Sequence, residues 1–256
     1  MNGPEGAGLP APRSARVKLA AAALMALLCA GFLALGTWQI FRLQWKTALI
    51  ARVDQRVHAA PIAAPAPISW SRLGKDQDEY RHLRLRGHFL DELGTLVQAS
   101  TVLGSGYWLL TPFCSEDGGI VMVNRGFVPA STPRHAGRRG AGCGGAAATQ
   151  DVTGLLRMSE TGGGFLRDND ARADRWYSRD VKAIAAARGL AEVAPYFVDQ
   201  DAAATPAEGA PVGGLTVISF NNNHLVYALT WFALAAMAAA GCVVFARDGR
   251  RTEGPI

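Results

Sequence analysis

With 256 residues, 49% of them hydrophobic, and a formal net charge of only +5, the chain has apolar material beyond the needs of one soluble core. Its charge is spread without a basic block interleaved with aromatics, which argues against nucleic acid as a partner. Four cysteines form no C-x-x-C or zinc spacing, and no nucleophile motif, catalytic carboxylate pair or phosphate loop is present, so the expectation is a protein that is not an enzyme.

Residues 1–16 open with Gly, Pro and Ala, have little to bury, and are expected to be a cytoplasmic tail, disordered over Met1 to Pro12. Residues 17–40 carry one charge near their start and then an apolar run to Leu35, long enough at about 1.5 Å per residue to cross a bilayer. That run is too long for the apolar region of a signal peptide and no A-x-A site follows it, so a retained anchor is expected. Helical register continues from Leu35 to Lys46, with Trp38, Arg42 and Trp45 on one face. Residues 41–67 are an amphipathic extension followed by an extended linker, because Pro61, Pro65 and Pro67 each fix φ and remove a donor.

Residues 68–214 change character. Tyr80, His82, Arg84, Arg86 and His88 alternate with Leu83 and Leu85, which predicts a strand with one solvated face. The interleaved arginines weigh against a metal on His82 and His88. Thr95 to Ser100 and Tyr107 to Phe113 are further strands, with Gly104 and Gly106 as the turn between them. Ile120 to Val128 is a central strand after Asp117-Gly118-Gly119, ended by Pro129; there Gly126 meets a backbone requirement and Arg125 pairs with a carboxylate. Ser131 to Gln150, rich in Gly, Ala and Arg, shows no periodicity. Asp151 to Met158 and Pro195 to Gln200 are strands. Asp180 to Ala187 is a helix with Val181, Ile184, Ala185 and Arg188 at helical spacing and Gly189 as its stop.

Residues 215–224 return the chain to a second apolar span, 225–246, followed by a tail at 247–256. Arg13, Arg16 and Lys18 before the first span and Arg247, Arg250 and Arg251 after the second place both termini in the cytoplasm. The central segment of roughly 180 residues is then exported, since long segments cross largely regardless of charge. The fold class expected is α+β, with two transmembrane helices flanking an exported, mainly antiparallel β-rich domain. Cys29 and Cys242 fall in the spans; Cys114 and Cys143 share the exported compartment, but their spacing favours free thiols over a disulfide.

His224 stands at the mouth of the second span, with Tyr227, Ala228 and Trp231 placed on the same helix face. The exit of the first span, near Trp38, lies at the same membrane depth. Imidazole is a suitable axial ligand for haem iron, and Ala228 would leave room beside it. Arg42 and Lys46 are placed to meet carboxylates. An interfacial histidine bonded to the Asn221 to Asn223 run, with ordinary belt aromatics, explains the same residues.

LGTWQIFRLQWK at Leu35 to Lys46, Tyr-Arg-x5-Gly-x-Phe at Tyr80 to Phe89, VNRGFVP at Val123 to Pro129, Val-x-Gly-x-x-Arg at Val152 to Arg157 and NNHLVYALTWFALA at Asn222 to Ala235 together resemble the surfeit-locus-one family of cytochrome c oxidase assembly factors. Phe127 stands where the family commonly has tryptophan. The resemblance implies a membrane-anchored assembly factor that holds haem a for insertion into the catalytic subunit of the terminal oxidase, or, alternatively, a haem-free scaffold for that apo-subunit. It implies His224 as the axial ligand to haem iron; by helix face and membrane depth, Trp231, Tyr227, Arg42, Trp38 and Lys46 would then be the residues near the porphyrin and its propionates. Its partners would be that subunit, the haem a synthesis enzyme and the lipid bilayer, in a bacterial inner membrane with the central domain periplasmic.

Overall fold

A computed structural model describes residues 15–133, 138–140, 142–144, 148–164, 166–205, 207–216, 218 and 220–251. The tail expected over Met1 to Pro12 and parts of the Ser131 to Gln150 stretch lie outside the described residues. The chain forms two compact units, one built from residues 1–51 and 219–256 and the other from 52–218.

The first unit is a pair of helices, α1 (Ala15–Val57) and α4 (His224–Arg251). With no proline between Pro12 and Pro61, nothing interrupts α1, and it runs past Lys46 to Val57. Both helices contain a stretch long and apolar enough to cross a membrane. They meet through small residues: Gly36 on α1 and Ala228, Ala235 and Ala238 on α4 are buried. A Cβ at Gly36 would stand 2.7 Å from the Phe232 ring. Leu19, Leu27, Leu229 and Val244 stay exposed, an apolar outer surface suited to lipid.

The second unit is β-rich. Its strands among the described residues are β1 (Ile62–Ala63), β2 (His82–Phe89), β3 (Thr95–Thr101), β4 (Gly104–Ser115), β5 (Ile120–Pro129), β6 (Gln150–Met158) and β7 (Val193–Gln200). They pair in the order β1-β2-β6-β7-β5-β4-β3, and β2 pairs β4 again through Gly87–Phe89 against Phe113–Ser115, so β2, β6, β7, β5 and β4 close on themselves. Pairing is antiparallel except for β1–β2 and β5–β7. Alternation along the strands sorts the core into two clusters. Leu83, Phe113, Val121, Val123, Leu156, Tyr196 and Val198, from all five closed strands, fill the interior. Leu110, Met122 and Phe197 face outward and are covered by Val181, Ile184 and Ala185 of α3 (Val181–Arg188). Asp180 caps α3 by accepting from the Ala183 amide at 3.1 Å, and Gly189 ends it at φ 70°. A further short helix, α2 (Lys75–Asp78), precedes β2, and the end of α1 joins this unit: Arg56 donates to the carbonyls of Asp76 (2.9 Å) and Glu79 (3.3 Å).

Two expectations are corrected. Gly104 and Gly106 lie inside β4, because Thr101 pairs Gly104 and leaves only Val102 and Leu103 for the turn. The solvated face of β2 is as expected, with Arg84 and Arg86 exposed and His82 and His88 half-buried, His88 Nε2 being buried without a partner among the described residues. Cys114 and Cys143 form a disulfide, their Cα atoms 5.6 Å apart; the stretch after β5 returns to β4, which spacing alone does not reveal. Arg125 does pair with a carboxylate, Asp91, at 2.6 Å, and Gly126 at φ 128° lets the Val212 carbonyl approach to where a Cβ would be 2.2 Å away.

Candidate functional site

His224 begins α4, where the Asn223 carbonyl accepts from the Tyr227 amide at 3.2 Å. Its imidazole is half-buried and its Nδ1 donates to Gln39 Oε1 of α1 at 2.7 Å. Gln39 is 9% exposed. The partner of His224 is therefore the facing helix rather than the Asn221 to Asn223 run; Asn222 reaches Thr47 instead, at 3.5 Å. Among the described residues His224 Nε2 has no partner.

The other residues singled out divide into two sets. Trp231 lies in the helix seam, stacked on Phe32 with ring centroids 5.7 Å apart. Lys46 sets its ammonium 5.1 Å from the Phe220 ring, in the segment that leads into α4. Tyr227, Trp38 and Arg42 are on the outer surface, the two rings 54% and 53% exposed and the Arg42 guanidinium 4.7 Å from the Trp45 ring. The room expected beside Ala228 is taken up by the helix pair, since Ala228 is 1% exposed. Gln39 was missed. Its signal was available: a neutral amide in an apolar span calls for a polar partner.

The donor set fits a haem iron through one imidazole. A neutral imidazole whose Nδ1 hydrogen is bonded offers Nε2 as a lone pair, and nothing else among the described residues of this unit competes for it.

The central unit holds a second polar constellation, on the outward face of β5, β6 and β7. Asp199, 4% exposed, accepts from Asn124 (2.7 Å), Arg179 (3.0 Å), Arg157 (3.0 Å) and Thr216 (2.9 Å). Arg157 also donates to Glu79 at 3.2 Å, and Arg179 grips Glu160 through Nε and Nη2. Burial alone would push the Glu160 carboxyl up, but the bonds and charge of Arg179, with Arg157 beyond, hold it below the usual carboxylate range. The group borders a cavity of about 210 Å3 walled by Trp108 and by residues 213–216. Every Asp199 lone pair is used and both guanidinium groups face carboxylates, so the arrangement ties β5, β6 and β7 together on their outward face and leaves neither guanidinium free for an anion. Nearby, His82 donates from Nδ1 to the Ala59 carbonyl (2.9 Å) and from Nε2 to Asp201 (2.7 Å).

A profile of the SURF1 family matches residues 26–236. The chain is 35% identical over 235 residues to mouse Surfeit locus protein 1, covering 85% of this chain and 72% of the mouse protein. It is 34% identical over 240 residues to human Surfeit locus protein 1, covering 86% and 75% of the two chains. Against a SURF1-like protein of Monosiga brevicollis the identity is 34% over 234 residues, 86% of this chain and 85% of that one.

Proposed function

This chain belongs to the SURF1 family, and from that membership and the His224–Gln39 pair we propose a membrane-anchored assembly factor for cytochrome c oxidase that holds haem a for insertion into the nascent catalytic subunit. The observation that carries it is an imidazole at the end of an apolar helix, oriented by a buried amide, with Nε2 unpartnered among the described residues. Bound haem would supply an iron centre that one imidazole nitrogen could hold. The chain's own residues do the holding. His224 would offer its Nε2 lone pair, Gln39 accepts from its Nδ1, and Lys46 and Arg42 bring two cations to the same end of the helix pair, where they could pair with carboxylates of a haem. Trp38 and Tyr227 offer exposed ring faces on the outer surface. One imidazole, rather than two strong ligands, suits cargo that must be released.

The basic flanks of the two spans support cytoplasmic termini, which would leave the β-rich unit in the periplasm of a bacterial inner membrane. The Cys114–Cys143 disulfide supports an oxidising compartment for that unit. It would meet the oxidase subunit, and the haem a synthesis enzyme would deliver at the helix pair; no catalytic role is assigned to any residue.

The test is to purify the full chain in detergent from a host that makes haem a and record the Soret band. Stoichiometric haem that is lost in His224→Ala is expected. Absence of haem, or a spectrum unchanged by His224→Ala, refutes holding and leaves a scaffold for the apo-subunit.

A further inference from the structure

Gln39 lies in the apolar part of α1, is 9% exposed, and places Oε1 2.7 Å from His224 Nδ1 on the facing helix. An amide oxygen only accepts, so the imidazole hydrogen must sit on Nδ1 and Nε2 is left as a bare lone pair. An imidazole in water carries its hydrogen mainly on Nε2. The bond therefore selects the less common tautomer, the one that presents Nε2 to a metal. Imidazoles that bind metals generally donate from their second nitrogen to a fixed acceptor, which orients the ring and raises its donor strength.

Resting on the haem-holding role proposed above, the geometry points to Gln39 as the positioning residue of that site: it chooses the tautomer of His224 and holds the ring so that Nε2 is the iron donor. A hydrogen bond that only glued two helices would have no need of one tautomer, and an amide turned the other way, donating from its nitrogen to a bare Nδ1, would serve it equally well. The two arrangements put the imidazole hydrogen on different atoms.

The tautomer can be read without haem. In the full chain in detergent micelles, labelled with 15N-histidine and kept at alkaline pH, long-range 1H–15N spectra report which ring nitrogen of His224 is protonated, the signal being assigned by its loss in His224→Ala. Nδ1–H is expected in the wild type, and Gln39→Met should return the ring to mainly Nε2–H with helix content and yield unchanged. In haem-loaded protein, Gln39→Met should weaken haem retention about tenfold or more. Gln39→Glu, whose carboxylate accepts the same bond more strongly, should restore retention and move the midpoint potential to a more negative value. Nε2–H in the wild type, or Gln39→Met without effect on tautomer and retention, overturns the role of Gln39 and leaves haem holding untouched. Absence of haem from the wild type instead overturns the haem-holding role and the ligand role of His224 with it.

Discussion

Replacing Asp199 by asparagine tests what holds the outward face of the β-rich unit together. The amide keeps the shape of the carboxylate but removes the charge shared by Arg157 and Arg179, whose side chains are 15% and 12% exposed. Breaking a buried pair from one side costs roughly 3–5 kcal/mol. Glu79 and Glu160 remain beside the arginines, so the low end, about 3 kcal/mol, is expected. The comparison is Asp91→Asn at the Arg125 pair, which is shorter, 2.6 Å against 3.0 Å, but has a carboxylate 70% exposed. Solvent screening holds that pair to less than about 1 kcal/mol. Distance and burial thus rank the two variants oppositely, and burial should win. Urea unfolding of the full chain in micelles, followed by tryptophan fluorescence, should show the loss of about 3 kcal/mol for Asp199→Asn, or roughly 6–12 °C in Tm, and little change for Asp91→Asn. Equal shifts, or a larger one for Asp91→Asn, would refute the reasoning.

The Cys114–Cys143 bridge spans a sequence separation of 29, which in the chain-entropy account is about 3.5 kcal/mol; Cys143→Ser should lose about that much, and a reductant should destabilise the wild type but not the variant in thermal melts. Burial alone would lower the His82 value, but bonds from both ring nitrogens, to Asp201 and Ala59, raise it above 6.5. Its stabilisation is therefore complete below about pH 6.5 and lost as pH rises through the raised folded value. With Asp201 37% exposed, the effect should stay below about 1 kcal/mol, and a small drop in Tm between about pH 6 and about pH 9 should shrink in His82→Gln. Gly126→Ala would bring a Cβ to 2.2 Å from the Val212 carbonyl at φ 128°, costing about 2 kcal/mol or more; hydrogen exchange of the Phe127 amide, which donates to Val212 at 2.8 Å, should speed up, and unchanged protection would count against the close approach.

What the chain wrote locally was legible in its sequence. Runs of apolar residues without proline specify the two long helices, because a span needs only length and hydropathy. Period-two alternation marks Leu83 and Leu85 as inward, and the Val181, Ile184, Ala185 and Arg188 spacing with Gly189 as its stop specifies α3, all four of whose periodic residues are buried. Contacts between distant residues were decided only by the tertiary structure. The β2–β4 closure, the Cys114–Cys143 bridge and the Asp199 cluster each join segments whose adjacency no local pattern encodes. The helix pair shows the division most plainly. His224 stood out from sequence as a polar group at a membrane helix, yet its partner is Gln39 and not the neighbouring Trp38. Adjacent residues on a helix point about 100° apart, so which of the two meets α4 depends on how α1 is rotated against its partner, and that rotation is set by the packing of Gly36 on Phe232 and of Phe32 on Trp231.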